Sequence, residues 1–214
     1  MLTTFQMQAL LTAAAWTAGL SLIAFVFGGA AGLLVAVMRV SANRALRAIA
    51  FVYIQLVQGT PLLVMMMLSF FGLSILGFNL TSFTAASFAM VIYSSAYFGE
   101  IWRGGILAVP KTQWEAAECL ALHPVQRFWL VIIQQGLRIS TPPTVGFMVQ
   151  IVKNTSLASV IGVAELTYTS KLINNSTFQP FIIFSVVAVL YFCMCYPLAW
   201  WSRKLEDKLN VAHR

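Results

Sequence analysis

Long apolar blocks separated by short polar punctuation run through this chain, at the spacing of membrane-crossing helices. Residues 12–38 carry no charge, the block ending at Arg39, and predict a first span. Inside it, Gly28-Gly29-Ala30-Ala31-Gly32 offers a face small enough for another helix to approach closely. A short basic loop from Arg39 to Arg47 leads to a second block at 48–78. That block is interrupted at Gln58-Gly59-Thr60-Pro61, where proline removes a backbone donor and biases Thr60 away from helix, so a kink or break is expected. The third block covers 83–107 and the fourth 139–152. The fourth is short against the roughly 20 residues a bilayer requires, and Pro142-Pro143 is expected in its first turn. Leu157 to Leu172 reads as an amphipathic or re-entrant helix, followed by a polar loop around Asn174-Asn175-Ser176. The fifth block, 181–201, ends in Trp200-Trp201, suited to an interface, with a charged tail after it.

Residues 110–138 break this pattern. Glu115, Glu118, His123, Gln126, Arg127, Gln134, Gln135 and Arg138 make the stretch too polar to sit in lipid. Its internal signals predict two short helices. Glu115-Ala116-Ala117-Glu118 places helix formers and acidic groups in a first turn, where the helix dipole favours them. His123-Pro124 then breaks the run, with Pro124 at the first position of a second helix, where a missing N–H costs nothing. Such a helix–turn–helix at a membrane face is a handle for another protein.

Composition narrows the class. The chain has 214 residues, 60% hydrophobic and 9% charged, with mean hydropathy +0.84. Soluble domains carry about one quarter charged residues, so an all-α integral membrane protein is expected. A closed β-barrel is excluded because the apolar residues come in blocks, not in alternation. The net charge of +7 reads as basic residues flanking spans, with no call for nucleic acid. Cys119, Cys193 and Cys195 show neither disulfide-framework nor metal spacing. The N-terminal apolar run lacks the basic flank of a secretory signal peptide. Arg39, Arg44, Arg47, Arg103, Lys111, Arg127, Arg138, Arg203, Lys204, Lys208 and Arg214 fall on one side of a five-span arrangement, against Lys153 and Lys171 on the other. The positive-inside rule then puts the N-terminus outside, the C-terminus inside, and the 110–138 loop in the cytoplasm.

Several polar residues in or beside the spans are candidates for function, each with a structural alternative. Glu100 and Arg103, three apart, read either as an ion pair at the interface or as a gate on a substrate route. Gln150, Lys153 and Asn154 share a helical face, Thr155 and Ser156 continue it, and Glu165 is a further candidate member. This patch reads either as part of a polar translocation path or as an interfacial lysine with its neighbours. On the path reading, Lys153 attracts a carboxylate, and Glu100 or Glu165 an amine. Met65, Met66 and Met67 fit an adaptable cavity or ordinary packing. His123 fits a partner contact or cap better than a general base. No G-x-x-x-x-G-K-[ST] occurs, so the chain holds no P-loop for ATP. No paired-carboxylate or HExxH constellation suggests an enzyme.

Glu115-Ala116-Ala117, with a small residue four positions on and an apolar run after Pro124, resembles the EAA loop of bacterial ABC importer permeases. The likeness extends to Gln58-Gly59-Thr60-Pro61-Leu62-Leu63, to Glu100-Ile101-Trp102-Arg103-Gly104-Gly105-Ile106, to Ala108-Val109-Pro110-Lys111 and to Lys153-Asn154-Thr155-Ser156-Leu157. These resemble the polar amino acid uptake subfamily, in order, from about residue 55 to 170. Two positions depart from the pattern. Ala121 stands where the family usually has Gly, and Gln134 where it usually has Pro. A left-handed Ala121 would cost roughly 1 kcal/mol.

The resemblance implies a type I ABC importer permease fold: one transmembrane permease domain over 1–214, with five transmembrane helices and a cytoplasmic coupling loop. It implies ATPase coupling through Glu115, Ala116, Ala117, Ala121, Leu122, His123 and Pro124. It implies a cytoplasmic ABC ATPase dimer carrying ATP-Mg, a second permease (paralogue or identical copy) and a periplasmic solute-binding protein, in the bacterial inner membrane. The chain itself is then a transport subunit without a cofactor of its own. The competing reading is a secondary transporter or channel that needs no ATPase. No evident inverted repeat speaks for that alternative.

Overall fold

The computed structural model describes residues 3–211, so Arg214 lies outside the described residues. The described chain is all helix and turn. Helix α1 (Thr4–Val40) is followed by α2 (Arg44–Gln58) and α3 (Leu62–Ile75), then α4 (Ser82–Leu107) and α5 (Lys111–Cys119). Helix α6 (Pro124–Ile161), α7 (Leu166–Thr177) and α8 (Pro180–Val211) complete it.

Helices α1, α6 and α8 are long and apolar enough to cross a membrane, and α2 with α3, taken as one broken span, makes a fourth. The break falls where Pro61 was expected to cause one, and the two helices meet at 98°. Helix α4 has 26 residues, about 39 Å of helix, which also exceeds a bilayer core. It is the enclosed helix of the bundle, burying Ala85, Ala86, Ala89, Ser94, Ser95 and Phe98, so it tolerates hydroxyls that a lipid-facing span avoids. Two α4 hydroxyls bond backbone within reach, Ser87 donating to the Phe83 carbonyl and Ser95 to the Ile92 carbonyl, each at 2.8 Å, while the Ser94 hydroxyl is buried without a partner.

Small residues set how closely the helices cross. A Cβ added at Gly28 would lie 2.6 Å from Ser94 Cβ, and one at Gly32 2.7 Å from Phe98 Cβ, so α1 and α4 meet along the Gly28–Gly32 face. At the other end of α4, a Cβ on Gly105 would fall 2.5 Å from the Gly136 carbonyl of α6. With no hydrophobic force between helices in lipid, this close approach supplies the dispersion that holds the bundle.

Three local readings need correction. The short block at 139–152 is the middle of α6, which runs unbroken in helical form from Pro124 to Ile161, through a π turn at Phe128–Ile132 and a 3-10 end at Thr155–Ile161. Pro142 and Pro143 therefore lie inside a helix and not in its first turn. The two prolines leave the Arg138 and Ile139 carbonyls without their i→i−4 donors, while Thr141 and Ser202 of α8 add side-chain bonds at 2.8 Å to the adjacent Leu137 and Pro142 carbonyls. Second, no single helix covers 157–172: Gly162 turns left-handed at φ 82 and Glu165 starts a new helix as its cap. Third, Asn174, Asn175 and Ser176 belong to α7 and not to a loop, because Ser176 and Thr177 bond back to the Ile173 carbonyl and Phe178 ends the helix at φ 50.

Candidate functional site

The polar stretch folds as a hairpin of two helical arms. Pro110, at φ −54 and ψ 141, turns the chain out of α4 into α5, and Pro124 opens α6 at its first position. Between them, the Leu122 N–H bonds the Ala117 carbonyl at 3.3 Å and the Ala121 N–H bonds Glu118 at 2.9 Å. This is a Schellman closure, whose second residue after the helix is left-handed and usually Gly. Here that residue is Ala121, at φ 55. The strain anticipated for alanine at this position is present in the structure. At the other departure, Gln134 keeps the backbone donor that proline would lack, and α6 passes through it.

The hairpin is fixed to the bundle on one side and open on the other. Ile106, Val109 and Ile132 are buried together, and Val40, Trp114, Phe128, Val131 and Ile139 pack around them. The ends of α1, α4, α5 and α6 thus share one apolar joint. Glu118 and Arg127 bond across the hairpin at 3.0 Å, and Gln135 donates to Gln113 at 3.1 Å. The His123 N–H donates to Gln126 at 3.2 Å, opening α6. Of the expected coupling residues, Ala117 is buried against the joint and Leu122 is half-buried. Glu115, Ala116, Ala121, His123 and Pro124 are exposed, with Leu120 and Val125 beside them.

Glu100 is held by two arginines. Arg103 donates to it through Nε at 2.9 Å and through a second, shorter bond, while Arg39, from the last turn of α1, lies 3.7 Å away. The Arg39 guanidinium also rests 5.2 Å over the Phe51 ring of α2. The charge cluster therefore ties α1, α2 and α4. Sequence reasoning missed Arg39 here; its place in the last turn of the first span, on the side shared with Arg103, was the available signal.

The remaining candidates divide into two groups. On α6, Pro143, Gly146, Gln150 and Lys153 form a stripe exposed at helical spacing, and Pro143 and Gly146 share a cleft with Ser202, Glu206 and Leu209 of α8. Gln150 donates to Asn154 at 3.0 Å, which steadies the end of the stripe. Behind it stand Tyr97 and Phe147, stacked at 5.0 Å, with Tyr93 against both. Thr155 is buried with its hydroxyl on the Val152 carbonyl, and Ser156 bonds Lys153. Met66 is buried in the core while Met67 is exposed.

Glu165 is fully buried in the turn before α7. Its carboxylate accepts from Thr167 N at 2.9 Å, Tyr168 N at 2.8 Å and the Tyr191 hydroxyl at 3.0 Å. Burial pushes this carboxyl above the usual carboxylate range, and the backbone donors oppose that rise. The neighbouring Leu166 N–H donates to Thr17 of α1 at 3.1 Å. Glu165 is thus the cap that joins α7 to α8 and, through Leu166, to α1.

A helical bundle of this apolarity, with a structured polar hairpin jointed to its helix ends, is a membrane protein with a handle for a partner at one face. Its fold matches the solved structure of an amino acid ABC transporter with histidines at a TM-score of 0.89 and 31% identity, over 97% of this chain and 99% of that one. The chain belongs to the family of binding-protein-dependent transport system inner membrane components, whose model matches residues 28–211. It is 34% identical over 196 residues to the L-cystine transport system permease protein TcyB of Bacillus subtilis (strain 168), across 91% of this chain and 84% of that one. It is 32% identical over 193 residues to the probable glutamine ABC transporter permease protein GlnM of the same organism, across 90% and 89%. The chain is therefore a permease subunit of an ABC importer in the inner membrane, working with separate ATPase and binding-protein subunits. It is a transport component and not an enzyme.

Proposed function

We propose that this permease carries a polar amino acid or a derivative of one, and that the hairpin at Glu115–Pro124 is its ATPase coupling element. The single observation that carries this reading is the apolar joint of Ile106, Val109 and Ile132. It fastens the hairpin to α1, α4 and α6 while Glu115, Ala116 and Ala121 stay open to a partner. The relatives' names, cystine and glutamine permeases among them, support the amino acid class.

In this mechanism the ATP-Mg is bound by a cytoplasmic ATPase dimer. Closure of that dimer moves α5, and the joint passes the motion to α4 and α6. The coupling depends on the ATPase binding the inward-open and outward-open bundles unequally. Helix α4 serves as the fifth crossing. The exposed stripe of Gln150 and Lys153 lines the route, with Asn154 beside it, and a second permease, identical or paralogous, closes the other half. Lys153 meets the substrate carboxylate as it crosses. Glu100 acts as a tie between helices near the inner mouth. Thr155, Ser156 and Glu165 support the turn that ends the route. A periplasmic solute-binding protein delivers from the N-terminal side, and the C-terminus lies in the cytoplasm.

Reconstitution tests the reading. Chain, ATPase and binding protein together in liposomes are expected to take up a polar amino acid only with ATP. Uptake by the chain alone overturns it in favour of a self-contained carrier. Exposed Cys119 reports the sidedness in a Cys193→Ser/Cys195→Ser background. An impermeant maleimide is expected to reach it in inverted vesicles and not in intact cells; the reverse result overturns the coupling assignment.

A further inference from the structure

The first two turns of α2 stand clear of the bundle. Every residue from Ala42 to Ile49 is exposed, and burial begins only at Ala50. From there Ala50, Ile54 and Val57 face the bundle, where Ile54 and Val57 pack on Ala96 of α4. At about 100° per residue, two further faces follow. One carries Ile49, Val52 and Leu56, all more than half exposed at 60%, 53% and 66%. The adjoining one carries Arg44, Arg47, Phe51 and Gln55. Arg47 is oriented by a bond from its guanidinium to the Ser41 carbonyl at 3.3 Å. The Phe51 ring holds the Arg39 guanidinium at 5.2 Å, and Arg39 Nε is buried without a hydrogen-bond partner. Three guanidiniums therefore gather beside an uncovered apolar strip, at the end of the bundle that also carries the hairpin. Against them stands one carboxylate, Glu100, already shared with Arg103.

A basic stripe flanked by an apolar strip along one helix has the two halves of a phospholipid: anionic headgroup and acyl chain. We propose that α2 binds an anionic phospholipid, its phosphate held by Arg44 and Arg47 and its acyl chain laid along Ile49, Val52 and Leu56. General attraction between basic loops and anionic membranes requires only charge. This site requires charge at two positions and a groove-side strip two turns long.

The test uses the full chain purified in mild detergent, with phosphatidylglycerol and phosphatidylcholine as probes in native mass spectrometry. Wild type is expected to retain phosphatidylglycerol in preference to phosphatidylcholine. Each arginine contributes about five-fold, the equivalent of ~1 kcal/mol, so Arg44→Gln/Arg47→Gln is expected to lose about 25-fold. Arg44→Lys/Arg47→Lys keeps the charge and is expected to keep most of the retention, which separates the site from misfolding of the glutamine variant. Ile49→Ser/Val52→Ser is expected to lessen retention with both arginines in place. Arg203→Gln/Lys204→Gln, on the charged end of α8, is expected to leave it unchanged. Equal retention of the two lipids by wild type overturns the proposal, as does an α8 variant that loses as much as the α2 variant. Displacement of the lipid by inorganic phosphate alone also overturns it, in favour of a free-anion site.

Discussion

The two ends of this bundle hold their helices by different means. At the hairpin end the charges are paired at or near the surface: Glu118 with Arg127, and Glu100 with Arg103 and Arg39. Apolar packing at Ile106, Val109 and Ile132 supplies the fixed geometry there. At the opposite end the fastening is a single buried carboxylate, Glu165, saturated by two backbone donors and a tyrosine hydroxyl. At the hairpin end the Glu118 carboxylate is exposed, so water screens it and its loss costs little, whereas Glu100 and Arg39 are mostly buried between helices. An end that closes on itself buries its polar group, so removing any one partner leaves the others unsatisfied. The difference predicts where the molecule tolerates change.

The largest effect is expected at the helix crossing of the hairpin end. Gly105→Leu has no room against the Gly136 carbonyl and should cost about 3 kcal/mol or more, read as loss of the folded monodisperse chain. Next comes the far end. Glu165→Ala removes a cap from Thr167 N and Tyr168 N and one of the Tyr191 hydroxyl's two partners, for a cost of about 2 kcal/mol in thermal unfolding. A pH series sharpens this. Because the folded carboxyl titrates above its ordinary value, its contribution is fully present at low pH and declines as pH rises from the ordinary carboxylate range through the raised value. Glu165→Gln should flatten that decline, and an unchanged slope would remove Glu165 as its source.

Smaller effects fall on the hairpin. Ala121→Gly relieves a left-handed alanine and should stabilise by about 1 kcal/mol, with transport kept if the turn geometry alone matters. Glu118→Ala should change stability by less than about 0.5 kcal/mol, since its carboxylate is largely exposed. A loss there as large as at Glu165 would erase the contrast between the two ends.

The positions that were legible in advance are those governed by neighbours in sequence. Pro61 bends the chain because its ring acts on the residue before it, and Pro124 starts a helix because its missing N–H is unneeded there. The left-handed strain at Ala121 was readable from the same kind of local rule. Pro142-Pro143 deceived for a related reason. A proline pair is expected near a helix start, but here α6 continues through it, packed against α4 and α8 on either side. That Glu165 is a buried helix cap was not legible, because its hydroxyl partner Tyr191 lies 26 residues further along the chain.

By itself the sequence determined that the chain is an all-helical membrane protein and which stretch is a structured polar hairpin. Hydropathy, proline and capping chemistry act over a few residues and can be read without a fold. Only the tertiary structure decided that Arg39 joins Glu100 and that Glu165 is a buried cap facing Tyr191. It also decided that α2 leaves a basic and an apolar face uncovered side by side. Each of those depends on residues far apart in the chain meeting at glycine-thin crossings, and no local pattern encodes the height at which two helices cross.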